Sequence, residues 1–167
     1  SYDCNTLKIF DVDNVEDFWC TYNNLPSPNE LFSTGRGSKQ LKIGNTIYSP
    51  NAYSFFESGI VPTWDDPHNI HGAELSIRKF RGLDIIKDMW DTAILDLIGE
   101  KFEYSECIKG IRVVDSTLPS KPMYRIEYWY DNLEYTQEVK KYITCLFNLN
   151  TNLLYREHQD IKEASRS

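Results

Sequence analysis

The apolar positions of this chain change period several times, and the changes mark its elements. Within 14–24, Val15, Phe18, Trp19 and Tyr22 fall at i, i+3, i+4 and i+7, which predicts an amphipathic helix, and Asp13 and Glu16 have the spacing of its cap. A second helix is predicted over 84–98. There Asp84 stands where a cap belongs, Ile86, Met89, Trp90, Ala93, Ile94 and Leu97 share a face, and Gly99 follows as the stop. A third, near 134–148, turns Tyr135, Val139, Tyr142, Ile143, Leu146 and Phe147 inward. Between them 74–80, 110–115 and 122–130 read as strands, the last from its strict alternation. Helices interleaved with antiparallel-looking strands predict an α+β fold. Residues 25–52 are rich in Ser, Pro, Gly and Asn, carry Arg36, Lys39 and Lys42, and read as a long mobile loop. Nothing divides the chain, so a single domain over 1–167 is expected.

Composition narrows the function. The 167 residues carry a net charge of −7, which argues against a domain that holds nucleic acid mainly by neutralising many phosphates, so any such contact is local. The four cysteines form no CxxC pair, which suggests neither a disulfide framework nor a zinc knuckle. No apolar run approaches a membrane span, and the start Ser-Tyr-Asp-Cys lacks a basic stretch followed by an apolar one, so the expectation is a soluble, intracellular protein. Aromatic residues make up 14%, with four Trp and eleven Tyr, a share that suits recognition by stacking as well as a large core.

Taken by itself, the segment from Asp65 to Glu74, with Asp66, His68 and His71, would fit a metal-dependent hydrolase. The His-x-x-His spacing is not that of helical zinc motifs, however, and Pro67 and Gly72 make the segment a loop, where clustered polar residues are usually solvated. No phosphate-binding G-x-x-x-x-G-K-[ST] loop or G-x-S-x-G nucleophile turn is present, which favours a binding protein without catalytic residues, metal or cofactor.

Three stretches in register give a more specific reading: Val15-Glu16-Asp17-Phe18-Trp19-Cys20-Thr21-Tyr22-Asn23, then Gly59-Ile60-Val61-Pro62-Thr63-Trp64-Asp65-Asp66, then Trp90-Asp91-Thr92 through Leu97-Ile98-Gly99-Glu100. Together they resemble the translation initiation factor 4E family, over about residues 9–158. The resemblance implies a curved antiparallel sheet with three helices on its convex back and a slot on its concave face for the 7-methylguanosine cap of messenger RNA. Methylation at N7 leaves the guanine cationic, and an electron-rich indole attracts such a ring more than ordinary guanine. Trp64 matches the stacking tryptophan, in a turn-like polar setting. Asp65 matches the acid that accepts from N1–H and the exocyclic amine, where the family usually has the longer Glu.

The resemblance also matches Trp129 to the residue beside the N7 methyl and Arg125 to a cation on the cap phosphates. Four residues apart on a strand, they share a face at about 13 Å. The family's second stacking tryptophan falls at or just before Ser1, where Tyr2 is the available ring. No arginine occupies the second phosphate position near Ser116, so Lys121 or Arg112 supplies that charge, and Glu74 stands where the family has a basic residue. Arg36, Lys39 and Lys42 of the long loop are within the reach of RNA phosphates. On the convex side the resemblance makes Val15, Trp19 and Leu95 a groove for the short helical motif of a scaffold or repressor protein, although Val15 and Leu95 fit a core equally well. Asp91 and Thr92 depart from the apolar and acidic residues usual there. The implied role is linking capped mRNA to a translation-initiation scaffold, or repressing translation, in the cytoplasm and also the nucleus.

Overall fold

The computed structural model describes residues 6–32, 39–80, 82–118, 121–150 and 152–166. Tyr2 and Arg36 lie outside them. Five strands, β3 (Ala52–Phe56), β4 (Ala73–Phe80), β5 (Ile108–Asp115), β6 (Tyr124–Tyr130) and β7 (Leu154–Glu157), form one antiparallel sheet in the order β3-β5-β6-β4-β7. The helices α1 (Val15–Tyr22), α3 (Leu83–Ile98) and α4 (Thr136–Leu146) cover one face of it. Phe18, Ile86, Trp90, Ile94, Val139 and Ile143 from those helices pack on Leu75, Ile77, Ile111, Val113, Ile126 and Tyr128 from the strands. This is the expected α+β architecture, a curved sheet with three helices on its convex side.

Two helix caps differ from the expectation. Asn14, not Asp13, caps α1: its Oδ1 accepts the Asp17 amide at 2.8 Å, while its Nδ2 donates to the Asp17 carboxylate at 2.7 Å. The cap of α3 is Gly82, which leaves Asp84 inside the first turn, where its charge complements the helix dipole.

Residues 25–52 are not simply a loop. They contain α2 (Pro28–Leu31), entered by Pro28 and closed by Glu30, whose carboxylate reaches back to the Ser27 amide at 2.7 Å. Leu31 and Phe32 join the core, with the Phe32 ring stacked on Tyr124. A hairpin follows, β1 (Leu41–Ile43) with β2 (Thr46–Tyr48), as a separate two-stranded sheet. Its turn places Gly44 at φ +60, the backbone a glycine-first hairpin turn requires. The chain ends its described part in α5 (His158–Arg166), which sequence periodicity did not predict.

Candidate functional site

Strand alternation sorts β6 into two sets: Tyr124, Ile126, Tyr128 and Tyr130 enter the helix-covered core, and Arg125, Glu127 and Trp129 face the other way. Pairing across the sheet brings Phe56, Gly110, Trp129, Glu74 and Arg156 into one row. The next row holds Ser54, Arg112, Glu127 and Ser76, and the third holds Val114, Arg125 and Arg78. Four arginines thus share this concave face with two glutamates, a local cationic excess in an acidic chain.

Trp129, expected against a ligand, is only 2% exposed and forms the floor of the face. Phe56 meets its ring edge-on at 5.4 Å, and the His158 ring lies tilted over it at 4.5 Å. The Phe56 ring occupies the space over Gly110, where an added Cβ would fall 2.3 Å from Phe56 Cγ. Glu127, which the sequence offers as a pairing partner for Arg125, lies between the two predicted residues and holds both. Trp129 Nε1 donates to its Oε2 at 3.0 Å, and Arg125 Nε to its Oε1 at 2.5 Å. Arg125 also donates to Ser116 Oγ at 2.7 Å.

Glu74 is buried one strand away and accepts Arg156 Nε at 3.0 Å and Nη2 at 2.6 Å on the same oxygen. Burial holds its carboxyl above the usual range, the nearby Glu127 adds to the effect, and Arg156 and Arg125 oppose it. Arg156, also missed in sequence, thereby restores positive charge beside the acid that replaces a basic residue. Arg112 lies in the next row, paired across the strands with Glu127, with its Nε buried and without a protein partner among the described residues. Lys121 is exposed, in a tight bridge with Leu118 on the β5–β6 connection.

Trp64 and Asp65 stand on the 57–72 connection, half-buried and exposed respectively. Two buried side chains inside this loop fix it. Asp66 accepts the Val61 amide at 3.0 Å and the His68 amide at 2.8 Å, and His68 Nδ1 lies 3.0 Å away. Burial pushes the Asp66 carboxyl up, but these amide and histidine contacts outweigh it and leave the group below its ordinary value. Asn69 donates its amide hydrogens to the carbonyls of Val61 and Thr63, both at 2.9 Å. The Asn69 carbonyl meets His158 Nδ1 at 2.6 Å, and the His158 amide donates to Gly72 O at 3.1 Å. Burial lowers the basicity of His158, against the pull of its bond to Asn69. Through His158 the loop bearing Trp64 is therefore fastened to the ring of Trp129. No periodicity pointed to Asp66, Asn69 or His158; the only trace was polar residues in an otherwise unremarkable loop and helix start.

Asp66, His68 and Asn69 of the Asp65–Glu74 segment are taken up in this structural role, and Glu74 is held by Arg156. His71 Nδ1 contacts Gln159 Nε2 at 2.7 Å, and among the described residues no group of three or more His, Cys, Asp or Glu side chains converges as a metal site.

On the convex side, Val15 is 51% and Leu95 47% exposed, so neither is a core residue. Trp19 is half-buried, edge-on to Phe18 at 5.2 Å and Tyr22 at 6.2 Å. The Tyr22 hydroxyl donates to Asp91 Oδ1 at 2.5 Å, which joins α1 to the face of α3 that carries Leu95 one turn later.

Among the described residues no helix is long and apolar enough to cross a membrane. The chain is similar to the eukaryotic translation initiation factor NCBP of Triticum aestivum, 31% identical over 111 residues, 66% of this chain and 40% of that protein. It is also similar to the eukaryotic translation initiation factor 4E1 of Drosophila melanogaster, 29% identical over 167 residues, 95% of this chain and 56% of that protein. The chain thus spans about half the length of the curated relatives it matches. Among solved structures, eIF4E-3 of C. elegans in complex with the 4E-binding protein Mextli has a TM-score of 0.69 at 22% identity, covering 93% of this chain and 83% of that one. Ascaris suum eIF4E-3 with m7G cap has a TM-score of 0.70 at 22% identity, covering 90% and 77%. At such identities the likeness speaks for the fold. The family model for eukaryotic initiation factor 4E matches residues 1–167, and this chain belongs to the eukaryotic initiation factor 4E family.

Proposed function

We propose that this single domain binds the 7-methylguanosine 5′ cap of messenger RNA on its concave face and docks a translation-initiation scaffold, or a repressor with the same short helical motif, on its convex face. The observation that carries the reading is the fastening of the Trp64–Asp65 turn, through Asn69 and His158, to a face where arginines outnumber glutamates. The indole of Trp64 stacks on the cationic base, and Asp65 accepts from its N1–H and exocyclic amine. Trp129 forms the floor of the slot, and Tyr2 is assigned the second stacking ring. Arg125, Arg112 and Lys121 attract the phosphates. The Ascaris suum neighbour with m7G cap and the C. elegans neighbour with Mextli support the two halves of the reading. The chain acts by binding and not by catalysis, in the cytoplasm and the nucleus.

Substitution tests the assignment. Trp64→Ala weakens binding of 7-methylguanosine triphosphate by about tenfold to a hundredfold, the loss of a stacked contact of roughly 1–3 kcal/mol. Asp65→Asn weakens it too and narrows the preference for methylated over unmethylated guanine. Wild-type affinity in both variants places the base elsewhere.

A further inference from the structure

The rows of the concave face give the slot a direction. Trp129 lies in the row that ends at Phe56, where the Trp64 loop departs, and Arg125 lies two rows away, where β3 enters. There Ala52 pairs with Val114, Val114 with Arg125, and the Asp115 amide donates to Asn51 O at 2.8 Å. Tyr48, the last residue of the β1–β2 hairpin, is three residues before Asn51, so the hairpin springs from within about 10 Å of chain from that row.

The hairpin is an unusual object to find there. It forms a two-stranded sheet of its own, with Ile47 61% and Ile43 39% exposed, and a pair of three-residue strands has little stability in isolation. Its charge is also distinct. The chain has 25 acidic residues against 18 basic ones, yet no Asp or Glu occurs between Glu30 and Glu57, and none between Asp115 and Glu127. Backbone pairing at Asn51–Asp115 brings these two acid-free stretches to one end of the sheet. The Asp115 carboxylate at the junction accepts the Thr117 amide at 2.9 Å. Lys39 reaches the Asn29 carbonyl and anchors the hairpin's root, Lys42 is exposed on its strand, and Lys121 is exposed on the neighbouring connection.

From this arrangement we infer that the β1–β2 hairpin holds the RNA strand that follows the cap, with Lys42 on a backbone phosphate and its exposed cross-strand partner Ile47, on the same face, against a base or sugar. The inference rests on the cap-binding reading above and extends it: the ligand is a capped single-stranded RNA, not the cap nucleotide alone. A chain leaving the Arg125 end of the slot passes Lys121 and then meets the hairpin. Local phosphate contacts of this kind need no net basic charge.

The test compares three ligands on the 167-residue chain: 7-methylguanosine triphosphate, a short capped RNA oligonucleotide and the same oligonucleotide uncapped. The parent binds the capped RNA several-fold more tightly than the triphosphate. Lys42→Glu lowers capped-RNA affinity by about threefold to tenfold and reduces the salt slope by about 0.7, the share of one phosphate on a single strand, with triphosphate affinity unchanged. Replacing residues 41–48 by a Gly-Ser linker removes the advantage of the RNA altogether. Equal affinity of the parent for triphosphate and capped RNA, or an advantage that survives both variants, overturns the inference and leaves cap binding standing. If the parent fails to bind the triphosphate, the cap reading falls. Lys42-dependent binding of the uncapped strand then supports the hairpin as an RNA surface, and its absence overturns that as well.

Discussion

Two of the tryptophans are buried, Trp90 and Trp129, and two are half-buried, Trp19 and Trp64, and the structure secures the helix of Trp19 and the loop of Trp64 by different means. On the convex side Trp90 is 1% exposed, tilted against Tyr53 at 5.5 Å, and its indole N–H has no protein partner among the described residues. Trp19 lies outside it on α1, against Phe18 and Tyr22, with the exposed Val15 and Leu95 nearby on α1 and α3. On the concave side the N–H of Trp129 is paired to Glu127, and the loop of Trp64 is tied down by Asp66, Asn69 and His158. Apolar burial is non-directional, so it can secure a helix and still leave an apolar strip for another protein. Hydrogen bonds have direction, and they can hold a turn in a single pose before a ligand arrives.

The largest effect separates Trp129 from Trp64. Trp129→Ala empties a buried site and costs about 3–5 kcal/mol, seen as a large fall in the denaturation midpoint. Trp64→Ala leaves the midpoint close to the parent's and affects ligand binding instead. Equal stability losses in the two variants would erase the distinction.

Next comes the separation of the two faces. Trp19→Ala removes an anchor for a partner helix, and interface tryptophans often contribute on the order of 2 kcal/mol or more. A variant that melts cooperatively therefore loses its protein partners in a pull-down on cap resin, while cap affinity stays within about twofold because distant sites are nearly independent. Retention of the same partners by the folded variant contradicts the convex docking surface.

The smallest effect concerns the tie between loop and floor. Burial lowers the folded-state pKa of His158 below its ordinary 6.5, so on acidification the unfolded chain takes up the proton first. The stability His158 contributes is complete above that value and is lost as pH falls from it toward the lowered one. The gap in melting temperature between the parent and His158→Gln therefore narrows between about pH 7 and pH 5. A gap that does not change with pH removes His158 from this role.

Sequence pattern captured the convex side well, because α1, α3 and α4 are long enough for a stripe to repeat and their buried residues are apolar. It failed over 25–52, where a four-residue helix and two three-residue strands are too short to show a period and Pro and Gly suggest only a loop. It missed α5 because Ile161 and Ala164 are its only apolar positions. On the concave face alternation placed Arg125, Glu127 and Trp129 together and offered Glu127 as a partner for Arg125, but not its second bond, to the Trp129 indole. A buried carboxylate is made tolerable only by partners that pairing across strands supplies, and β-pairing is not visible in one strand's sequence. Asp66, Asn69 and His158 were hidden for the same reason: their function is set by carbonyls and amides brought close by the fold. For Trp64 and Asp65 the turn-like setting read in the sequence matches their place on the 57–72 connection, half-buried and exposed respectively.

The most direct test of the account is a titration of the chain with 7-methylguanosine triphosphate and, separately, with GTP, following tryptophan fluorescence. Stacking of the cationic base on Trp64 predicts saturable quenching by the methylated nucleotide at concentrations where GTP has little effect. Equal responses to the two nucleotides, or no response to either, would contradict cap recognition by this face.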